Sequence, residues 1–107
     1  MGNSELELLI MQLIMNSGNA KSLAMEAIQF ARKNQLDHAK KTLEEAGESM
    51  TVAHEIQTKL LVTEARGENY QFSLLLTHSQ DHLMNALNAI DMAKEMVFLW
   101  ESVHTKG

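Results

Sequence analysis

Leu36-Asp37-His38-Ala39-Lys40-Lys41-Thr42-Leu43-Glu44-Glu45-Ala46-Gly47-Glu48-Ser49-Met50-Thr51-Val52-Ala53-His54-Glu55-Ile56-Gln57-Thr58-Lys59-Leu60 is the stretch whose reading decides the fold. Its apolar members Leu36, Ala39, Leu43, Ala46, Met50, Ala53 and Leu60, with Gln57 completing the series, recur in alternating steps of three and four. That spacing puts them on one stripe of an α-helix, a seam made for lengthwise packing on antiparallel neighbours. Gln57, the polar member, reads as a core amide that sets register or hydrogen-bonds to a facing helix.

Punctuation on either side of the seam supplies two more helices. Asn34-Gln35-Leu36-Asp37 reads as a turn, with Asp37 as the N-cap of the second helix. Upstream, Ser4-Glu5-Leu6-Glu7 has the Ser-x-x-Glu form of a capping box, which starts a first helix running to about 33, with Gly18 a weak point inside it. Downstream, Gly67 suits the left-handed residue that ends a helix, 68–72 reads as a loop, and Ser73 can cap a third helix reaching about 104. The expectation is one all-α domain over 1–107, with helices of about 4–33, 37–66 and 73–104 in up-down-up order.

Composition agrees. The 107 residues contain no proline and abundant Ala, Leu, Met, Glu, Gln and Lys, the residues that lose least on entering a helix. With no cysteine, thiol nucleophiles, disulfides and cysteine-based metal sites are excluded. The net charge of −5 disfavours a nucleic-acid partner. Charges interrupt every apolar stretch well before membrane-spanning length, and no secretory signal is read at the start, so a cytoplasmic protein without membrane insertion is expected.

Helix three carries more apolar surface than one hairpin partner needs. One stripe is Leu76, Ser79, Leu83, Ala86, Ile90, Ala93, Val97 and Trp100; a second is His78, His82, Asn85, Ala89, Met92, Met96 and Leu99; a third joins Leu74, Asp81, Asn85, Asn88 and Met92. A helix in a three-helix monomer ordinarily keeps a broad face in water, so two apolar stripes plus small residues point to packing on further copies of the chain.

The same helix holds the chemistry. In Leu74-Leu75-Leu76-Thr77-His78-Ser79-Gln80-Asp81-His82-Leu83-Met84, His78 and His82 are one turn apart and Asp81 shares their side. Three readings fit. The groups can hydrogen-bond one another as a structural knot. They can ligate a metal, although Ser79-Gln80 follows the first histidine where a helical zinc protease carries its glutamate base. Or His78, nucleophilic near neutral pH, can take up a phosphoryl group, with His82 and Gln80 supporting its oxygens; a bare Asp81 beside it then needs a counter-charge. His38, His54 and His104 have no clustered partner and read as surface residues. Met84 and Met25 read as adaptable docking surface.

The run His78-Ser79-Gln80-Asp81-His82-Leu83-Met84, with Asn16-Ser17-Gly18-Asn19-Ala20-Lys21-Ser22-Leu23 and Ala53-His54-Glu55-Ile56-Gln57-Thr58, resembles the lactose/cellobiose-type IIA components of the bacterial phosphoenolpyruvate:sugar phosphotransferase system. The resemblance extends over nearly the whole chain, with Thr77, Ser79 and Ser17 as mild departures; the first two hydroxyls are expected to face solvent. It implies a parallel homotrimer of nine helices. It implies that His78 accepts phosphate from phospho-HPr and passes it to a cysteine of a cognate IIB component, during uptake of a β-linked disaccharide of the cellobiose, lactose or chitobiose class. It also implies that His82 lies beside the phosphoryl group, and that Asp81 lies at the threefold axis as ligand of one Mg²⁺ per trimer. The alternative from another class is a non-catalytic helical oligomer whose His-Asp cluster binds metal or fixes assembly.

Overall fold

The computed structural model describes residues 3–67 and 74–105. It consists of α1 (Asn3–Arg32), α2 (Leu36–Ala65) and α3 (Leu74–Thr105), packed side by side in a rod 57 Å long and 20 Å across. Helix α1 packs on both α2 and α3, whereas α2 and α3 touch each other far less. One long side of α3 is therefore left without an intrachain neighbour.

The α2 seam is buried where the spacing placed it: Ala39, Ala46, Met50, Ala53 and Leu60 are inside, with Leu36, Leu43 and Gln57 half-buried. From α1 come Ile10, Leu13, Ala20, Ala24, Ala27 and Ala31, and from α3 Leu83, Ala86, Ile90, Ala93 and Val97. Alanine dominates this core, so the helices approach closely and need no large side chains to fill the space. The fully buried Leu13 and Leu83 are the largest inserts, each worth about 1.5–3 kcal/mol of apolar burial.

The first turn is tighter than the sequence reading had it. Gln35 N–H donates to Phe30 C=O (2.9 Å) and Asn34 N–H to Ala31 C=O (2.9 Å), while Asn34 sits in the left-handed region at φ 61°. This is a Schellman termination with asparagine in place of glycine. It uses only Lys33, Asn34 and Gln35, so the chain is already helical at Leu36. The N-cap is thus Gln35, not Asp37. Asp37 lies in the first turn, where a carboxylate still complements the positive end of the helix. The Phe30 and His38 rings stack across the turn at 3.8 Å.

At the other end of α2, Gly67 takes φ 93° and its N–H donates to Glu64 C=O (3.0 Å), the left-handed stop expected there. The Ser73 cap falls outside the described residues. Ser4 lies inside α1, which passes through Gly18 without a break. Near the turn, Lys40 pairs with Glu101 and ties α2 to α3; hydrogen bonding and charge from Glu101 hold the Lys40 ammonium above its ordinary pKa.

Candidate functional site

The first stripe read on α3 is the one that enters the core, from Ser79 through Val97, with Leu76 and Trp100 half-buried at its ends. Side chains on the other faces of α3 are thereby turned outward. His78, Asp81, Asn85 and Asn88 are exposed, His82 is half-buried, and Leu74, Met92, Met96 and Leu99 are exposed alongside them. The helix period of about 100° per residue makes this one continuous face.

Within it, His78 and His82 meet. Their Nε2 atoms are 3.0 Å apart and the rings stand edge to face, with centroids 4.4 Å apart and planes at 87°. A hydrogen bond at that distance requires the tautomer in which one ring's Nε2 carries the proton and the other's presents its lone pair. His78 also lines an open groove of about 700 Å³ with Leu74, Leu75, Thr77 and Asp81, so its ring is reachable from outside the chain.

Asp81 shares that groove and has no ion-pair partner among the described residues. A single exposed carboxylate is a hard oxygen donor, chemically suited to Mg²⁺ but insufficient by itself. No group of three or more His, Cys, Asp or Glu able to hold a metal occurs among the described residues of one chain. The oxygen donor therefore fits the implied ion only where several chains bring their Asp81 together.

Gln80 sits elsewhere. It is two residues from His78, about 200° around the helix, and half-buried against α2. There Gln57 Nε2 donates to Gln80 Oε1 at 2.9 Å, and a small cavity of about 180 Å³ adjoins the pair. Gln57 is thus the hydrogen-bonded core amide its seam position indicated, and in one chain Gln80 does not join the histidine pair.

The two small hydroxyls divide. Thr77 is exposed at the groove, but Ser79 is fully buried and donates to Leu76 C=O at 2.6 Å, contrary to the expectation that it faces solvent. Ser79 occupies a seam position between Leu76 and Leu83, and a hydroxyl bonding back to its own helix can be buried without a tertiary partner. Ser17 is also fully buried, and its Oγ has no hydrogen-bond partner.

The remaining histidines stay outside the cluster. His38 is spent on Phe30, His104 stacks on Trp100 at 4.6 Å with its Nδ1 2.9 Å from Trp100 C=O, and His54 lies exposed on α2. Met84 and Met25 are exposed, and Met25 lies in a surface groove with Lys21, Phe30 and Lys33, toward the end of α1 away from the histidine pair. Among the described residues no helix is long and apolar enough to cross a membrane.

Known proteins share this architecture. A family model for the "PTS system, Lactose/Cellobiose specific IIA subunit" matches residues 8–101. The lichenan-specific phosphotransferase enzyme IIA component of Bacillus subtilis (strain 168) is 45% identical over 101 residues, covering 94% of this chain and 92% of that protein. The crystal structure of the PTS cellobiose-specific enzyme IIA from Bacillus anthracis superposes with a TM-score of 0.93 at 44% identity, covering 100% of this chain and 96% of the other. A solution structure of the IIA(chitobiose)–HPr complex of the Escherichia coli phosphotransferase system matches with a TM-score of 0.81 at 35% identity, covering 92% and 96%. With its three-helix rod and the histidine pair on the open face of α3, the chain belongs to the lactose/cellobiose-specific IIA family of the sugar phosphotransferase system.

Proposed function

We propose that this chain is a phosphohistidine carrier, with His78 as the residue that holds the phosphoryl group. The observation that carries this reading is the contact between His78 and His82 on an open face, Nε2 to Nε2 at 3.0 Å. With the shared proton on His82, the lone pair of His78 Nε2 is the nucleophile. It attacks the phosphorus of a phosphohistidine donor in line; the new N–P bond forms as the donor's N–P bond breaks, and that electron pair returns to the donor ring. The His82 N–H is then left beside an oxygen of the transferred group, as a charge-assisted donor. The reverse sequence delivers the phosphoryl group to an acceptor thiolate.

Partners follow from relatives. The chitobiose-branch neighbour is solved with HPr, which supports HPr as the donor here; the acceptor in this reading is a cysteine of a cognate IIB component. The sugar class is that of the relatives, β-linked disaccharides of the cellobiose, lactose or chitobiose type.

The working unit is a homotrimer joined through the open face of α3. Support comes from Leu74, Met92, Met96, Leu99 and Val103, all between 44 and 82% exposed on one face of a single chain. Three Asp81 carboxylates brought together on that face would repel unless a cation neutralises them, and Mg²⁺ would supply that charge. Gln80, turned toward α2 and hydrogen-bonded to Gln57, stays off this face.

The test is reconstitution. Phosphoenolpyruvate, enzyme I and HPr should add one acid-labile phosphoryl group per chain, which purified IIB then removes. No label under these conditions would leave the alternative, a helical oligomer whose His-Asp cluster serves only assembly or metal binding.

A further inference from the structure

We propose that the His78–His82 pair is also a chelating site for a late first-row divalent cation such as Zn²⁺, and that the ion switches the carrier off by occupying the nucleophilic lone pair. The two Nε2 atoms are 3.0 Å apart. Two imidazole nitrogens bound at about 2.1 Å to one metal ion lie about 3.0 Å apart at a right angle and about 3.4 Å apart at the tetrahedral angle. The pair needs only small ring rotations to move from sharing a proton to sharing an ion. Both protons can reside on Nδ1 in the bound form, leaving both Nε2 lone pairs for the metal. Imidazole suits Zn²⁺, Ni²⁺ and Cu²⁺, whereas Mg²⁺ prefers oxygen and does not compete for this site.

The surroundings permit it. In the single chain His78 is exposed on a groove of about 700 Å³, which has room for the waters that complete the ion's shell. Among the described residues no third His, Cys, Asp or Glu completes a cluster, so the site is an open two-histidine chelate and its ion is exchangeable. The other three histidines are not paired in this way: His38 and His104 are stacked on Phe30 and Trp100, and His54 lies apart on α2. The ion and the phosphoryl group compete for one atom, so each excludes the other. The binding stands on the geometry alone; its inhibitory consequence rests on His78 being the phosphoryl acceptor.

Calorimetric titration of the metal-free protein with ZnCl₂ should show one ion per chain. His78→Gln and His82→Gln should each weaken binding at least tenfold, with helicity unchanged because both rings lie outside the core. In imidazole NMR spectra, His78 and His82 should shift with Zn²⁺ while His38, His54 and His104 stay fixed. Saturating Zn²⁺ should suppress acceptance from purified phospho-HPr, excess Mg²⁺ should not, and phosphorylated protein should lose the site. Zinc affinity unaltered in His82→Gln, or shifts centred on another histidine, would overturn the proposal. Failure of the metal-free protein to accept phosphate would instead count against the carrier function and leave the chelate standing.

Discussion

His82 Nε2 lies 3.0 Å from His78 Nε2, the closest approach of two ionisable side chains on the open face of α3. If the His82 N–H follows the phosphoryl group, its loss removes a charge-assisted hydrogen bond worth about 1.5–3 kcal/mol. His82→Ala should therefore slow phosphoryl acceptance by about ten- to a hundredfold. Thermal stability should change little, because the ring is only half-buried. Rapid-quench transfer from phospho-HPr measures the rate; equal rates in both proteins would remove His82 from the mechanism.

The Gln57–Gln80 bond joins α2 to α3, the two helices that touch each other least. Gln57→Leu strands the half-buried Gln80 carbonyl and should cost about 1–3 kcal/mol. The double variant Gln57→Leu/Gln80→Leu replaces both partners and should recover much of that loss. Urea unfolding of the four proteins at one fixed concentration gives the coupling energy, which should exceed 0.5 kcal/mol.

Ser17 buries an unpartnered hydroxyl in an alanine-rich core. Ser17→Ala removes only that oxygen and should raise stability by about 1 kcal/mol. A higher urea midpoint with an unchanged slope is the expected signature.

Asp81 tests the assembly. If three Asp81 carboxylates meet in the proposed trimer, Asp81→Leu exchanges their repulsion for apolar contact and should tighten the assembly, lowering its dissociation concentration in sedimentation experiments. Asp81→Asn should abolish any Mg²⁺ dependence of that equilibrium. A trimer markedly weakened by leucine would contradict an axial position for this residue.

Much of this fold was legible because one seam, one glycine stop and one excess of apolar stripes each have a local cause. The α2 spacing named its buried residues except Thr42, whose hydroxyl donates to His38 C=O within the helix, and one of the three stripes read on α3 is the surface it hides, Ser79 included. Reading Ser79 as solvent-facing set its residue type above its position, and position decides burial when the hydroxyl can bond within its own helix. The sequence points to Asp37 because a good capping residue stands beside the turn, but the left-handed Asn34 and its Schellman hydrogen bonds close the turn earlier, and residue type alone does not select that asparagine conformer. The site divides in the same way. The i, i+4 spacing of His78 and His82 foretold their contact, since helix geometry imposes it. The Gln57–Gln80 bond spans 23 residues and depends on how α2 and α3 register, which no local spacing records.

The central claim is that His78 carries phosphate, and intact-mass spectrometry tests it most directly. After incubation with phosphoenolpyruvate, enzyme I and HPr, the unaltered chain should gain one acid-labile phosphoryl group, and His78→Ala should gain none while keeping the same helical circular-dichroism spectrum. Full labelling of the His78→Ala chain would contradict the account.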